Sequence, residues 1–349
     1  MAKRLVSNEK PTDTLGMPRE ISLPAKVIAA LRAEGAPEVE AGDTPERRVD
    51  FPHLSNSQAE MYRRCSMQYM FRYKLGLKDK PKVSLAIGKG GHSALEKAVK
   101  RKLKNGETVK PDEVVQWASD FMDQELSAMP PSEYEKDVEP GETKDKFLAA
   151  TRVFQTRDAP TIRPLAAELE FNLDINEYLP EPLETPIRIV NGKIDVLFDD
   201  FGKIVVPNKG MVRMGVDDYK FVAKKRSQGE VNLSSQLSLY GLVVKKITGL
   251  WPTHLGYKMF TPGNTKDGPD MTPMSREPDL MTPEHFENRA RRLAFQMEQI
   301  ENGIRHNVYV PTDNPITCSW CGFRDRCQSS LVTDFEAAKL RAQTSPPTE

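Results

Sequence analysis

The spacing of apolar positions changes period twice along this chain. From Leu54 to about residue 157, apolar residues recur at three- and four-residue intervals, the mark of amphipathic helices. In LSNSQAEMYRRCSMQYMFRY, Ser55 or Asn56 can cap a helix whose apolar and aromatic residues share one side. SLAIGKGGHSALEKAVKRKL follows. Its Gly-Lys-Gly-Gly stretch reads as a break, and His92 as the opening of a helix with Leu95 and Val99 on one face. PDEVVQWASDFMDQELS (111–127) and KDKFLAATRVFQT predict further helices. Near Pro164 the period shortens to two. PLAAELEFNLDI, TPIRIVNGKIDVLFDD and GVDDYKFVAKK alternate as half-buried strands do, with DDFGKIVVPNKGMVRM as a turn and hairpin-like excursion before the third. SSQLSLYGLVVKKI returns to helical period, and HLGYKMFT reads as a strand. TPGNTKDGPDMTPMSREPDLMTP reads as a loop, and EHFENRARRLAFQMEQIENGI as a long amphipathic helix.

These elements predict an α/β fold, a small mixed central sheet flanked by helices, with a helical insertion. The divisions expected are a Pro- and charge-rich arm over 1–50, a helical region over 51–160 and a sheet core over 161–260. A loop over 261–282, a helix with a cysteine module over 283–330 and a polar tail over 331–349 complete the chain. Composition adds little: Lys plus Arg equals Asp plus Glu, 50 against 50, so net charge selects no partner. No apolar run reaches the ~18 residues of a membrane helix. MAKRLVSNEKPTDTLG has no apolar segment of the secretory kind, and a cytoplasmic protein is expected. In that compartment clustered cysteines hold metal or do redox chemistry more often than they form disulfides.

The chain has four cysteines: Cys65, and Cys318, Cys321 and Cys327 in C-x2-C-x5-C spacing. Four thiolates suit an iron–sulfur cluster or Zn²⁺, and the spacing favours neither. The other chemistry lies in the sheet region. Asp195 ends the apolar run GKIDVLF, and Asp218 and Lys220 sit in GVDDYKF. Side chains two apart in a strand face the same way, so Asp218 and Lys220 share a side and Tyr219 takes the other. Burying two carboxylates costs several kcal/mol each, roughly, unless they are paired or bound to a cation. Mg²⁺ or Mn²⁺ would satisfy both, with the Tyr219 carbonyl as a further ligand. Lys220 could then hold or deprotonate an attacking water. An isolated D-x-K is most often a surface ion pair. Three features argue for more: His92 after the glycines, Glu168 where the first strand begins, and Gln236 with Tyr240, four apart on one helix face. Arg63, Arg64, Arg72 and Lys74 interleave with Tyr62, Tyr69, Phe71 and Tyr73, as in a surface that neutralises phosphates and stacks bases, although most of these aromatics read as core. Lys224, Lys225 and Arg226 follow the D-x-K strand as candidate phosphate contacts. KAVKRKLK could line an entry to the site, and RARRL reads as a solvated helix face. No G-x-x-x-x-G-K-[ST] loop is present, so ATP is not implied.

In this order, GxxxH-x-x-LE, E-x-x-F, G-x-I-D, D-Y-K and Q-x-x-x-Y resemble the RecB-like branch of the PD-(D/E)XK nucleases, from about Cys65 to Cys327. The resemblance implies a restriction-endonuclease-like core that hydrolyses DNA with Mg²⁺ or Mn²⁺. It implies His92, Asp195, Asp218 and the Tyr219 carbonyl as metal ligands, Lys220 for the water, and Gln236 and Tyr240 as positioning groups. Glu168 would be an outer-shell acid, with Glu170 its rival. Asp217 before Asp218, and the long stretch between Asp195 and Asp218, depart from the pattern. A subset of the family, including AddB-type helicase–nucleases, CRISPR-associated adaptation nucleases and phage exonucleases, carries one cysteine before the core and C-x2-C-x5-C after it. Resemblance to that subset implies a [4Fe–4S] cluster on Cys65, Cys318, Cys321 and Cys327, with structural zinc as the rival. A free-standing chain of this kind resembles phage or prophage recombination exonucleases. These act on DNA ends or single strands, with a strand-annealing protein as a candidate partner. A non-catalytic DNA-binding module and a thiol redox protein are the other readings. The intact Asp, Asp, Lys set argues against the first, and the lack of a βαβ setting for C-x2-C against the second.

Overall fold

A computed structural model describes residues 53–78, 82–130, 138–179, 181, 187–201, 210–263 and 268–329. The expected arm (1–50), the polar tail (331–349) and the middle of the 199–214 excursion lie outside these residues.

The chain enters as a short strand, β1 (His53–Ser55), and turns into α1 (Asn56–Arg64). Ser55 is the cap. Its hydroxyl accepts the Gln58 N–H at 3.2 Å while the Gln58 side chain accepts the Ser55 N–H at 2.6 Å, so two orphan donors are satisfied reciprocally. The expected helix does not run on through YRRCSMQYMFRY. It breaks at Cys65, whose backbone is extended (φ −164°, ψ 105°), and resumes as α2 (Ser66–Tyr69) and a π turn (Met70–Lys74). The break frees Ser66 to bond elsewhere: its hydroxyl accepts the Val310 N–H at 2.6 Å and donates to the Val310 carbonyl at 3.1 Å.

α3 (Val83–Asn105) corrects the expectation of a break at the glycines. Gly88, Gly90 and Gly91 lie inside one continuous helix, and His92 sits well within it rather than opening it. The glycines serve packing. A Cβ on Gly90 would lie 2.5 Å from the Met122 backbone nitrogen, and one on Gly91 would overlap the Phe221 ring. The helix ends at Gly106, whose φ of +76° supplies the left-handed cap. α4 (Pro111–Ser127) and α5 (Pro140–Arg157) both start with proline, whose missing N–H costs nothing in a first turn.

Among the described residues, six strands form one mixed sheet. β2 (Pro164–Leu173) runs antiparallel along β3 (Ile189–Phe198). The other edge of β3 is shared: β1 pairs parallel at Ile189–Asn191, and β4 (Met211–Phe221) pairs antiparallel at Val196–Phe198. β4 pairs parallel with β5 (Trp251–Thr261) through the crossover α6 (Gln228–Asn232) and α7 (Ser235–Thr248). β6 (Asp270–Ser275) closes that side antiparallel to β5, inside the stretch expected to be a loop. Its Pro and Thr content disguises a strand that tolerates proline because it lies at an edge, where Pro273 need not donate. α8 (Pro283–Arg305) and the short α9 (Pro315–Ser319) and α10 (Arg324–Ser329) follow.

The sheet is covered on both faces. α3, α4 and α5 pack through Leu95, Met122 and Phe154 onto Tyr219 and Phe260. α1, α7 and α8 pack through Ala59, Val243 and Met297 onto Ile194, Leu197 and Tyr257. A buried ion pair fastens α8 to the segment before β3: Arg188 and Glu301, 1% and 0% exposed, meet at 3.1 Å. No helix among the described residues is long and apolar enough to cross a membrane.

The two glycine environments predict opposite outcomes. Gly88 has only the Phe221 Cβ near it, at 3.9 Å. Gly88→Ala should stabilise the protein by roughly 0.5–1 kcal/mol through helix propensity. Gly90→Ala forces the Met122 backbone to move and should cost about 1–3 kcal/mol. Urea unfolding of the two variants checks both signs.

Candidate active site

The β3–β4 ladder ends at the pair Val196–Asp217, just before Asp195 and Asp218. Here the strands fork, and the Asp195 side chain does what the ladder no longer does: its Oδ2 accepts the Tyr219 backbone N–H at 2.7 Å. Asp218 and Lys220 share the face toward α7. The Gln236 amide donates to Asp218 Oδ1 at 2.8 Å, and the Tyr240 hydroxyl donates to the same oxygen at 2.8 Å. Lys220 Nζ lies 2.6 Å from Asp218 Oδ2. Gln236 and Tyr240 are themselves bonded at 2.7 Å, as residues one helical turn apart can be.

Two further groups complete this wall that the sequence reading did not single out. Tyr257 of β5 is the register partner of Asp218, and its hydroxyl meets Ser234 Oγ at 2.6 Å. Ser234 is the N-cap of α7, accepting the Leu237 N–H at 3.1 Å. A hydroxyl before an apolar helical run was the available signal for Ser234. Tyr257 carried none until the register of β5 against β4 was known.

His92 approaches from α3. Its Nδ1 is 3.4 Å from Asp195 Oδ2, and it also hydrogen-bonds the Tyr219 backbone. Glu168 of β2 has a left-handed backbone (φ 51°). It occupies the gap between the register pairs Ala167–Val196 and Leu169–Ile194, across from Asp195. Its rival Glu170 is exposed and pairs with Lys193 at 2.8 Å. Asp217 and Asp218 face opposite sides of the sheet. Asp217 is buried between His254 at 2.9 Å and Lys258 at 3.3 Å, away from the cluster.

The charges at the fork are in tension. Burial lifts the Asp195 carboxyl well above its ordinary range, and the nearby Asp218 charge lifts it further. Burial would lower Lys220, but the charge and hydrogen bond of Asp218, with the charge of Asp195, together outweigh it and raise the ammonium. Burial pushes His92 down and so favours the neutral imidazole, while the charge of Asp218 opposes that shift. Burial and the charge of Glu96 raise Glu168. Asp217 differs: burial would raise it, yet Lys258 and His254 hold it at about 2. Among the described residues no three His, Cys, Asp or Glu side chains stand at metal-holding spacing. In type, however, two carboxylates, an imidazole and a backbone carbonyl are the donors a hard divalent ion takes, and their crowding is what such an ion would relieve.

The candidate DNA-contacting residues divide. Arg63 donates to Ser235 Oγ at 2.9 Å and to Gln296 Oε1 at 3.2 Å, and Arg64 donates to Gln68 Oε1 at 2.8 Å. Lys224 and Lys225 are exposed, Lys225 lying 4.0 Å from Asp270. Arg226 adjoins the site, its guanidinium 4.9 Å over the Tyr257 ring. In RARRL, Arg291 and Arg292 are solvated as expected. Arg289 is not, because it is half-buried and donates to the Leu233 carbonyl at 2.7 Å.

The four cysteines lie in one neighbourhood, drawn from the two ends of the described chain, although no three of them stand at metal-holding spacing. Cys65 follows α1, Cys318 lies in α9, Cys321 follows it, and Cys327 lies in α10; all are half-buried. Burial raises the Cys327 thiol, and Cys65, Cys321 and Cys318 add to the shift, which puts those three within electrostatic reach of Cys327. Around them the Gln68 amide stands 3.6 Å from Cys321 Sγ, Cys318 Sγ bonds the Thr312 carbonyl at 3.3 Å, and Phe71 packs on Phe323.

Compared with known proteins, residues 53–328 match the family model described as the PD-(D/E)XK nuclease superfamily. No curated protein matches the chain.

The electrostatics predict two opposite stability effects without divalent ions. The folded Asp195 carboxyl titrates above its unfolded value, so its ionised form destabilises the protein at neutral pH. Asp195→Asn should therefore raise the urea midpoint at pH 7. That gain should vanish as pH falls through the unfolded carboxylate value of about 3.9, where both states are protonated. Asp217→Asn leaves Lys258 unpaired in a buried setting and should cost about 3 kcal/mol. Urea titrations in EDTA across that pH range check both.

Proposed function

The chain belongs to the PD-(D/E)XK nuclease superfamily, and we propose that it is a metal-dependent DNA exonuclease of the RecB-like branch, with an iron–sulfur cluster joining its two ends. The observation that carries the nuclease reading is the Asp195–Asp218–Lys220 constellation at the strand fork, with His92 on one side and Gln236 and Tyr240 on the other. The resemblance to phage and prophage recombination exonucleases supports DNA ends or single strands as substrate, work in the cytoplasm, and partnership with a strand-annealing protein.

Asp195, Asp218, the Tyr219 carbonyl and His92 would hold Mg²⁺ or Mn²⁺. When bound, the ion supplies Lewis-acid polarisation of a phosphoryl oxygen and acidifies the attacking water. The protein's own groups do the rest. Without the ion, Lys220 is kept an ammonium by Asp218. It donates hydrogen bonds that orient water toward phosphorus and offset the charge growing on the non-bridging oxygens. Gln236 and Tyr240 both donate to Asp218 Oδ1, which fixes the carboxylate's rotation and leaves Oδ2 for Lys220. His92 and Tyr219 pack from the α3 side. Glu168, across from Asp195, would act as an outer-shell acid.

At the second centre, Cys65, Cys318, Cys321 and Cys327 would supply the four thiolates of a [4Fe–4S] cluster, with structural zinc the rival. Such a cluster would close the loop between Cys65 and the C-terminal module, where chain-entropy arguments give cross-links their largest effect.

Two measurements test this. End-labelled DNA incubated with Mg²⁺ or Mn²⁺ should be degraded by the wild type. Lys220→Ala should lower the rate about 10²–10³-fold, the loss typical of one charge-stabilising donor, with DNA affinity in EDTA retained. A wild type that binds DNA but never cuts it with any divalent ion sinks the enzyme reading and leaves a binding module. Anaerobically purified protein should be brown and carry about four irons and four sulfides per chain, and Cys65→Ser should lose them. A colourless, zinc-loaded protein sinks the cluster and spares the nuclease.

A further inference from the structure

Between α1 and α8, beside Cys65, the surface opens into a groove of about 500 Å³, within the roughly 300–1,000 Å³ of ligand clefts. Tyr62, Arg63 and Arg64 from the end of α1 form one wall, and Phe295 and Gln296 of α8 the other. The only charged side chains among the described lining residues are the two arginines, and none is a carboxylate. Phe295 is 58% exposed, on a helix whose neighbouring apolar residues Leu293, Ala294 and Met297 are buried. Arg292, one turn before it, is solvated. Burial, then the charges of Arg292 and Arg63, push Arg289 down, so the positive band continues along α8.

The groove meets the catalytic helix. Arg63 bridges Gln296 of α8 and Ser235, and Ser235 precedes Gln236, which donates to Asp218. Arg63 and Arg64 have further N–H donors beyond their bonds within the protein, since a guanidinium carries five. A solvated aromatic ring between phosphate-binding donors fits an unpaired base, whose faces are free. Duplex bases are already stacked and offer no such face along the helix.

We propose that this groove holds a single DNA strand continuous with the strand at the active site, Phe295 stacking on a base while Arg63 and Arg64 neutralise phosphates. The proposal deepens, and rests on, the nuclease reading of that site. It places the path of the unpaired strand past Cys65 and along α8.

The test uses the full chain in EDTA, a short fluorescein-labelled oligothymidylate, a matched blunt hairpin duplex, and fluorescence anisotropy. Phe295→Ala should weaken single-strand binding by roughly five- to a hundredfold, the loss of one base–aromatic stack, and duplex binding much less. Phe295→Trp should keep the affinity, and its emission should be quenched by oligothymidylate. Arg64→Ala should flatten the salt dependence of single-strand binding by about 0.7 per phosphate lost. The Phe295 ring is exposed, so its variants should melt with the wild type. Unchanged affinity in Phe295→Ala with an unquenched Phe295→Trp overturns the proposal. So does a homodimer that Phe295→Ala dissociates without altering DNA affinity, because the groove is then an interface between copies. Cleavage in Mg²⁺ is scored separately. A wild type that binds through Phe295 yet never cuts supports the groove and refutes the nuclease, and one that cuts with no dependence on Phe295 does the reverse.

Discussion

One hydrogen bond organises the site: the Tyr219 backbone N–H given to the Asp195 carboxylate at 2.7 Å. A strand leaving its neighbour must find new partners for its backbone groups, or lose about 1–3 kcal/mol for each one left buried and unmade. β4 leaves β3 after Asp217, and Asp195 satisfies the next donor. This satisfaction lets the fork stay open. It also fixes Asp195 beside Asp218 despite their like charge, because the carboxylate cannot swing away without abandoning the N–H. Burial raises the Asp195 carboxyl and the Asp218 charge held beside it adds to that; burial would lower Lys220, but Asp218 and Asp195 together keep its ammonium raised. The site is destabilised as built, and the surrounding fold overrides its preference to rearrange.

The fold overrides it from both sides. On the α7 side, Gln236, Tyr240, Ser234 and Tyr257 form a continuous hydrogen-bonded wall behind Asp218, anchored by a helix cap. On the α3 side, the absence of side chains at Gly90 and Gly91 lets the helix press against Met122 and Phe221. That close approach brings His92 down to the fork. A Cβ at Gly91 would push α3 off Phe221 and carry His92 away from Asp195, so the glycines position a polar group although they touch none.

Much of this was legible in the sequence where it depended on local periodicity. Two-residue parity placed Asp218 and Lys220 on one face, and four-residue spacing placed Gln236 and Tyr240 on another, because both rules act within one element. What failed needed a second element. The glycines of α3 read as a break because Gly is a poor helix former in isolation, and only Met122 and Phe221 explain their presence. β6 was hidden by Pro273, which an edge strand permits. Glu168 and Glu170 share a strand face by parity, and a left-handed backbone at Glu168 separates their roles in space. The break at Cys65 was invisible because it answers to Val310, far along the chain.

Val310 belongs to a larger pattern in which the start and end of the described chain are tied repeatedly at one place. Ser66 bonds Val310, Tyr62 bonds the Val308 carbonyl, and Arg63 bonds Gln296. A further tie joins α8 to the middle of the chain, where Arg188 before β3 pairs with Glu301. The last tie is a poor source of stability. Both ions are fully buried, and the terminal nitrogens of Arg188 find no aligned acceptor among the described residues. An apolar pair of similar volume would hold the layers at least as well. A buried ion pair is exacting in a way that apolar contact is not: one step of slip along α8 would strand Arg188, while Glu301 keeps Arg305, one turn on in the same helix, at 2.9 Å. Arg188 and Glu301 therefore act as a register pin. They set α8 at one rotation and height against the segment before β3, and so against the sheet that carries the site.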